Sequence, residues 1–95
     1  MFATLSMYRV KPAMRERMKT VADHAIPEVS NMKAFKGMTF MGDPKTDLYG
    51  GLALWETRES AEAAMAASTQ QVENALADLL VAPPILRVLE VYEPK

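Results

Sequence analysis

Between Leu48 and Trp55 the chain reads Leu-Tyr-Gly-Gly-Leu-Ala-Leu-Trp, and an alternating strand there has no polar face to turn to water. Tyr49, Gly51, Ala53 and Trp55 share one face, and Gly50, Leu52 and Leu54 share the other. Such a strand needs cover on both sides. Upstream, Phe2 to Val10 alternates Phe2, Thr4, Ser6, Tyr8 and Val10 against Ala3, Leu5, Met7 and Arg9, which predicts a first strand. Lys11-Pro12 ends it, because proline supplies no ladder N–H and biases its predecessor toward an extended backbone. A helix is expected just after Pro12, with Met14, Met18, Val21, Ala22, Ala25, Ile26 and Val29 at spacings of three and four on its inner face. Arg15, Glu16, Arg17, Lys19 and Asp23 are left for its solvated face, and Pro27 predicts a kink or an early end.

Ser30 to Lys33 reads as an exit, and Ala34 to Gly42 as a second strand in which Gly37 marks a bulge or bend. The turn formers of Asp43-Pro44-Lys45-Thr46-Asp47 predict a hairpin, so the second and third strands should pair antiparallel. Thr57 is expected to cap a short helix through Ala67, with Glu59 in its first turn, where negative charge is favoured. Ser68-Thr69-Gln70-Gln71 has the form of a capping box, predicting a second helical segment with Val72, Ala75, Leu76, Leu79 and Leu80 inward. Pro83-Pro84 stops it, and Ile85 to Tyr92 alternates as a last strand.

The order strand, helix, strand, strand, helix, strand predicts an α+β fold of the ferredoxin-like βαββαβ type, a four-stranded antiparallel sheet with both helices on one face. The other face would be bare and partly apolar over four strands, more than a monomer usually leaves exposed, so a homodimer closed sheet to sheet is expected. Length agrees: residues 1–95 make one domain, and a chain this short gains from a shared core.

Composition narrows the classes. No apolar run approaches the roughly 20 residues of a membrane helix, and the opening Met1-Phe2-Ala3-Thr4-Leu5 suits a strand better than a signal peptide, so a cytoplasmic protein with no membrane partner is expected. A net charge of −1 gives no reason to expect nucleic acid. The chain has no cysteine, which removes disulfides, thiolate nucleophiles and sulfur-held metals, and one histidine cannot build a zinc site by itself. It has no glycine-rich phosphate loop and no nucleophile elbow. Eight methionines fit either core filling or an adaptable apolar pocket.

Several segments together resemble the antibiotic biosynthesis monooxygenase domain family: Tyr8-Arg9-Val10-Lys11-Pro12, Ile26-Pro27, Phe35-Lys36-Gly37, Leu54-Trp55-Glu56-Thr57 and Leu89-Glu90-Val91-Tyr92-Glu93. The resemblance spans nearly the whole chain and rests mostly on structural punctuation. It implies a dimeric α+β barrel, and activities that include oxygenation of quinols and polycyclic aromatics without metal or flavin, and haem degradation. It also implies a pocket between helices and sheet, which makes Thr4, Ser6, Tyr8, Trp55 and Met65 the candidate substrate-binding residues. Ser6 takes the place of an asparagine of the haem-degrading relatives. Those relatives use a tryptophan and a haem-ligating histidine in the second half, whereas this chain has no histidine after Trp55 and has Ala64-Met65 near the tryptophan position, so haem degradation is not expected. No cofactor and no metal are expected.

Cofactor-free oxygenation asks the protein to position an electron-rich phenol or hydroquinone, stabilise its anion and exclude water, because the anion itself can give an electron to oxygen. His24 is the one side chain whose unshifted titration lies near neutrality, so it is the candidate catalytic base, against the alternative of a histidine at the edge of an apolar helix stripe. Trp55 is a packing anchor or a substrate platform. Arg87 faces a ligand anion or makes a surface or interface ion pair. The function expected is oxygenation of a small apolar, aromatic or quinol-type compound; the alternative is a non-catalytic ligand-binding or structural homodimer of the same fold.

Overall fold

The computed structural model describes residues 1–92; Glu93, part of the closing segment of the resemblance, lies outside them. Its elements are β1 (Phe2–Arg9), α1 (Arg15–Ser30), β2 (Phe35–Asp43), β3 (Leu48–Trp55), α2 (Arg58–Ala75) and β4 (Ile85–Glu90). The strands form one antiparallel sheet in the order β2-β3-β1-β4. This is the expected ferredoxin-like α+β arrangement. The Asp43–Asp47 turn makes the expected hairpin, and the register of β2 on β3 shifts between Phe35 and Gly37, where a bulge was expected.

Registers settle which side chains share a face. Thr4 lies opposite Ala53 and Val88, Ser6 opposite Gly51 and Leu86, and Tyr8 opposite Tyr49. On β2, Met38 pairs with Ala53 and Phe40 with Gly51, so they join the same face. Both helices cover that face. One buried cluster joins Val10, Met18, Tyr49, Val72, Leu76 and Leu79; a second joins Ala53, Trp55, Ala61 and Ala64. Trp55 is completely buried, with Phe35 edge-on at 5.6 Å. The opposite face keeps apolar side chains in water: Met41, Ile85 and Leu89 are exposed, and Leu5, Met7, Leu52 and Leu54 are only half-buried.

The helices depart from expectation in four ways. α1 does not end at Pro27 but continues to Ser30. Pro27 is exposed in the last turns, and nearby carbonyls find side-chain donors, Ser30 Oγ donating to Ile26 O and Asn31 Nδ2 to Pro27 O. Ile26 belongs to the outer surface, 42% exposed, because positions 18, 22, 25 and 29 carry the inward stripe. Thr57 caps α2 as expected, accepting from Ser60 N–H at 3.2 Å, but α2 is one helix rather than two. The run Ala63-Ala64-Met65-Ala66-Ala67 contains only strong helix formers, so the Ser68-x-x-Gln71 pattern follows no break and never functions as a cap. Thr69 instead donates to the carbonyl of Met65 within the helix.

The fourth departure concerns the end of α2. It stops at Ala75, before the expected Leu79 and Leu80. Leu79 still enters the core, while its carbonyl accepts from Lys11 N–H and Val81 N–H donates to Arg9 O, strapping the segment to the end of β1. β4 is shorter than expected, ending at Glu90, with Tyr92 84% exposed beyond it. Among the described residues no helix is long and apolar enough to cross a membrane.

Candidate functional site

A cavity of about 340 Å³ lies between the two helices and the sheet. Its floor is built from side chains that the registers align: Thr4, Ser6 and Tyr8 of β1, Tyr49, Ala53 and Trp55 of β3, and Met38 and Phe40 of β2. Gly51 lies in the middle of this floor, where an added Cβ would sit 3.1 Å from the Phe40 ring, so the missing side chain gives that ring its place. The roof comes from Met18, Ala22, Ala25 and Val29 of α1 and from Ala64, Ser68, Gln71 and Val72 of α2.

The polar groups in the cavity are few. Thr4 is buried, and its hydroxyl accepts from Trp55 Nε1 at 3.1 Å, which ties both side chains to the protein. Ser6 and Tyr8 stand side by side along the same strand face, two residues apart. Burial pushes the Tyr8 phenol above its ordinary value, and the neighbouring Ser6 hydroxyl acts weakly the other way. Tyr8 is therefore a neutral phenol at physiological pH, able to donate a hydrogen bond and unsuited to accept a proton as a base.

The structure gathers Thr4, Ser6, Tyr8 and Trp55 around one cavity. Met65 is half-buried outside the lining; Ala64 and Ser68, one and three residues away, point there instead. His24 is exposed on α1, its Nδ1 donating to the carbonyl of Thr20 at 3.0 Å, and only its neighbour Ala25 lines the cavity. Arg87 is exposed on β4, opposite Leu5 on the face turned away from the cavity.

Two lining residues were assigned from sequence to the solvated face of α1. Arg15 and Lys19 are exposed and also border the cavity, at its solvent end beside Pro44. Their spacing held the signal: 15, 18, 19, 22, 25 and 29 fall on one side of a helix, whatever their polarity. Ser68 and Gln71 were hidden by their capping-box pattern, and Phe40 and Met38 were read only as apolar strand residues. Among the described residues no group of three or more histidines, aspartates and glutamates is placed to hold a metal ion.

No family model and no curated protein matches the chain. Solved structures do. A "putative antibiotic biosynthesis monooxygenase" from Nitrosomonas europaea superposes with a TM-score of 0.80 at 15% identity, covering 98% of this chain and 100% of that one. SnoaB, a cofactor-independent oxygenase from Streptomyces nogalater, solved as its N63A mutant, gives 0.75 at 16% identity over 98% of this chain and 94% of its own. The monooxygenase of ActVA-Orf6 from Streptomyces coelicolor, solved with the ligand nanaomycin D, gives 0.74 at 19% identity over 99% and 89%. At these identities the likeness is one of fold, and the chain has the fold of the antibiotic biosynthesis monooxygenases.

Proposed function

We propose that the cavity binds a small, flat aromatic or quinol-type compound and that the protein oxygenates it without a cofactor. The observation that carries this reading is the cavity itself: it is roofed by both helices, lined mainly by apolar and aromatic side chains, and supplied with the Ser6 and Tyr8 hydroxyls. Small-molecule sites have this composition, a mostly apolar wall with a few polar groups that fix orientation. Two solved neighbours, a cofactor-independent oxygenase and a monooxygenase bound to nanaomycin D, support the reaction class. In this reading the ligand's ring lies over the floor near Gly51, its hydroxyl meets the Tyr8 phenol, and the helices exclude water around the anion that reduces oxygen.

The test is oxygen uptake with a panel of hydroquinones and anthrones, run beside a binding assay on the same compounds. Consumption that depends on the protein and saturates with the compound is expected. Tight binding with no consumption would favour the second reading, a non-catalytic ligand-binding dimer. A specific observation speaks for that alternative: among the described residues the cavity lining contains no histidine, aspartate or glutamate to take the substrate's proton.

Either reading includes a homodimer closed across the face that carries Met41, Ile85 and Leu89. Those exposed side chains, with half-buried Leu5, Met7, Leu52 and Leu54, form an apolar surface without a covering layer in the single chain. A second copy of the same sheet is apolar in the same places. Sedimentation should give twice the monomer mass at micromolar concentration; a monomer there overturns the dimer.

A further inference from the structure

We propose that the ligand carries a carboxylate, held at the solvent end of the cavity by Arg15 and Lys19; this rests on reading the cavity as a ligand site. Arg15 and Lys19 stand one helical turn apart on α1, on the side that also presents Met18, Ala22 and Ala25 to the cavity.

Local stability does not account for the two charges. Arg15 is the first residue of α1, the end where the helix dipole disfavours a cation. Among the described residues Arg15 forms no ion pair, and Lys19 reaches only Glu16, at 3.9 Å with both side chains largely exposed. The cavity is also one-sided in charge among the described residues: Arg15 and Lys19 border it and no aspartate or glutamate does, in a chain of net charge −1. A guanidinium offers a planar fork that donates to both oxygens of a carboxylate, while the ammonium adds a second, mobile point charge. A ring bound in the cavity would bring an acidic substituent within reach of Arg15 and Lys19 at its border. The same pair would favour a neutral aromatic acid's ionised form and select against cationic rings.

The experiment compares two probes of one skeleton, anthraquinone-2-carboxylate and 2-(hydroxymethyl)anthraquinone, by titration calorimetry and by quenching of Trp55, the only tryptophan. The carboxylate should bind roughly tenfold tighter, as expected for two partly exposed charge contacts. The preference should shrink in high salt, since exposed charges are screened. Arg15→Gln with Lys19→Gln should abolish the preference and leave the alcohol's affinity unchanged, whereas Arg17→Gln, the same charge change away from the cavity, should preserve it. Equal affinity of the native protein for both probes, or a preference that survives the double substitution, overturns the inference and leaves the ligand site standing. Binding of neither probe overturns both.

Discussion

Trp55 donates its indole N–H to the hydroxyl of Thr4 across 3.1 Å, although the register sets Trp55 opposite Phe2 and Thr4 opposite Ala53. The bond thus runs diagonally from β3 to β1, beneath the helices, and both ends are buried. Removing the acceptor leaves an indole N–H with no partner, which costs about 1–3 kcal/mol. Thr4→Val keeps the shape and should lower stability by that amount in urea unfolding, while Thr4→Ser keeps the acceptor and should cost only the lost buried methyl, about 0.5–1 kcal/mol. A Thr4→Val protein as stable as the native one would show that the bond contributes nothing.

Tyr8 makes the protein sensitive to alkali. Its phenol is raised in the folded state, so between the unfolded value near 10 and the higher folded value the unfolded chain has lost the proton and the folded chain has kept it. Unfolding then releases protons, and stability must fall as pH rises through that window; below it Tyr8 contributes no slope. Urea midpoints measured from pH 8 to pH 11 should fall more steeply for the native protein than for Tyr8→Phe. Parallel curves would mean that Tyr8 is hydrated in solution.

Two alanines occupy backbone that suits glycine. Ala13, between β1 and α1, has φ of 65°, and Ala34, before β2, has φ of 66°. A left-handed conformation costs an L residue about 1–2 kcal/mol, part of which glycine gives back as extra freedom in the unfolded chain. Ala13→Gly and Ala34→Gly should each stabilise the fold by about 0.5–1 kcal/mol. Thermal unfolding would read this as a rise of a few degrees, and a fall at either site would show that its methyl makes a contact worth more than the strain.

The fold was legible because its signals are local and redundant. Alternation named β1 and β3, Pro12 marked the end of β1 ahead of α1, and the Asp43–Asp47 turn left β2 and β3 only one way to pair, whereas Pro83-Pro84 lies well beyond the end of α2 at Ala75. The β1 part of the site was legible for the same reason, since one period-two choice places Thr4, Ser6 and Tyr8 together. Arg15 and Lys19 are solvated as expected, but their place at the cavity border was missed because polarity was taken to decide the side of a helix, and at a cavity's edge a charged residue can be both wet and part of a site. His24 shows the converse. Its chemistry drew notice, while its helical angle, one residue from Ala25, puts it outside.

That one-residue difference gives a paired test on α1. Ala25 borders the cavity, and leucine there would extend three more carbons into it. Filling empty space adds apolar burial, so Ala25→Leu should hold or raise stability by up to about 1 kcal/mol while weakening aromatic ligands by roughly tenfold or more. His24→Ala changes an exposed side chain and should stay within about 0.5 kcal/mol in stability. Its oxygen uptake with any active hydroquinone should also be unchanged. Loss of turnover in His24→Ala with affinity intact would bring the histidine back as the base and require α1 to rotate in the ligand-bound state, which solvent exchange of the α1 amides with and without ligand would reveal.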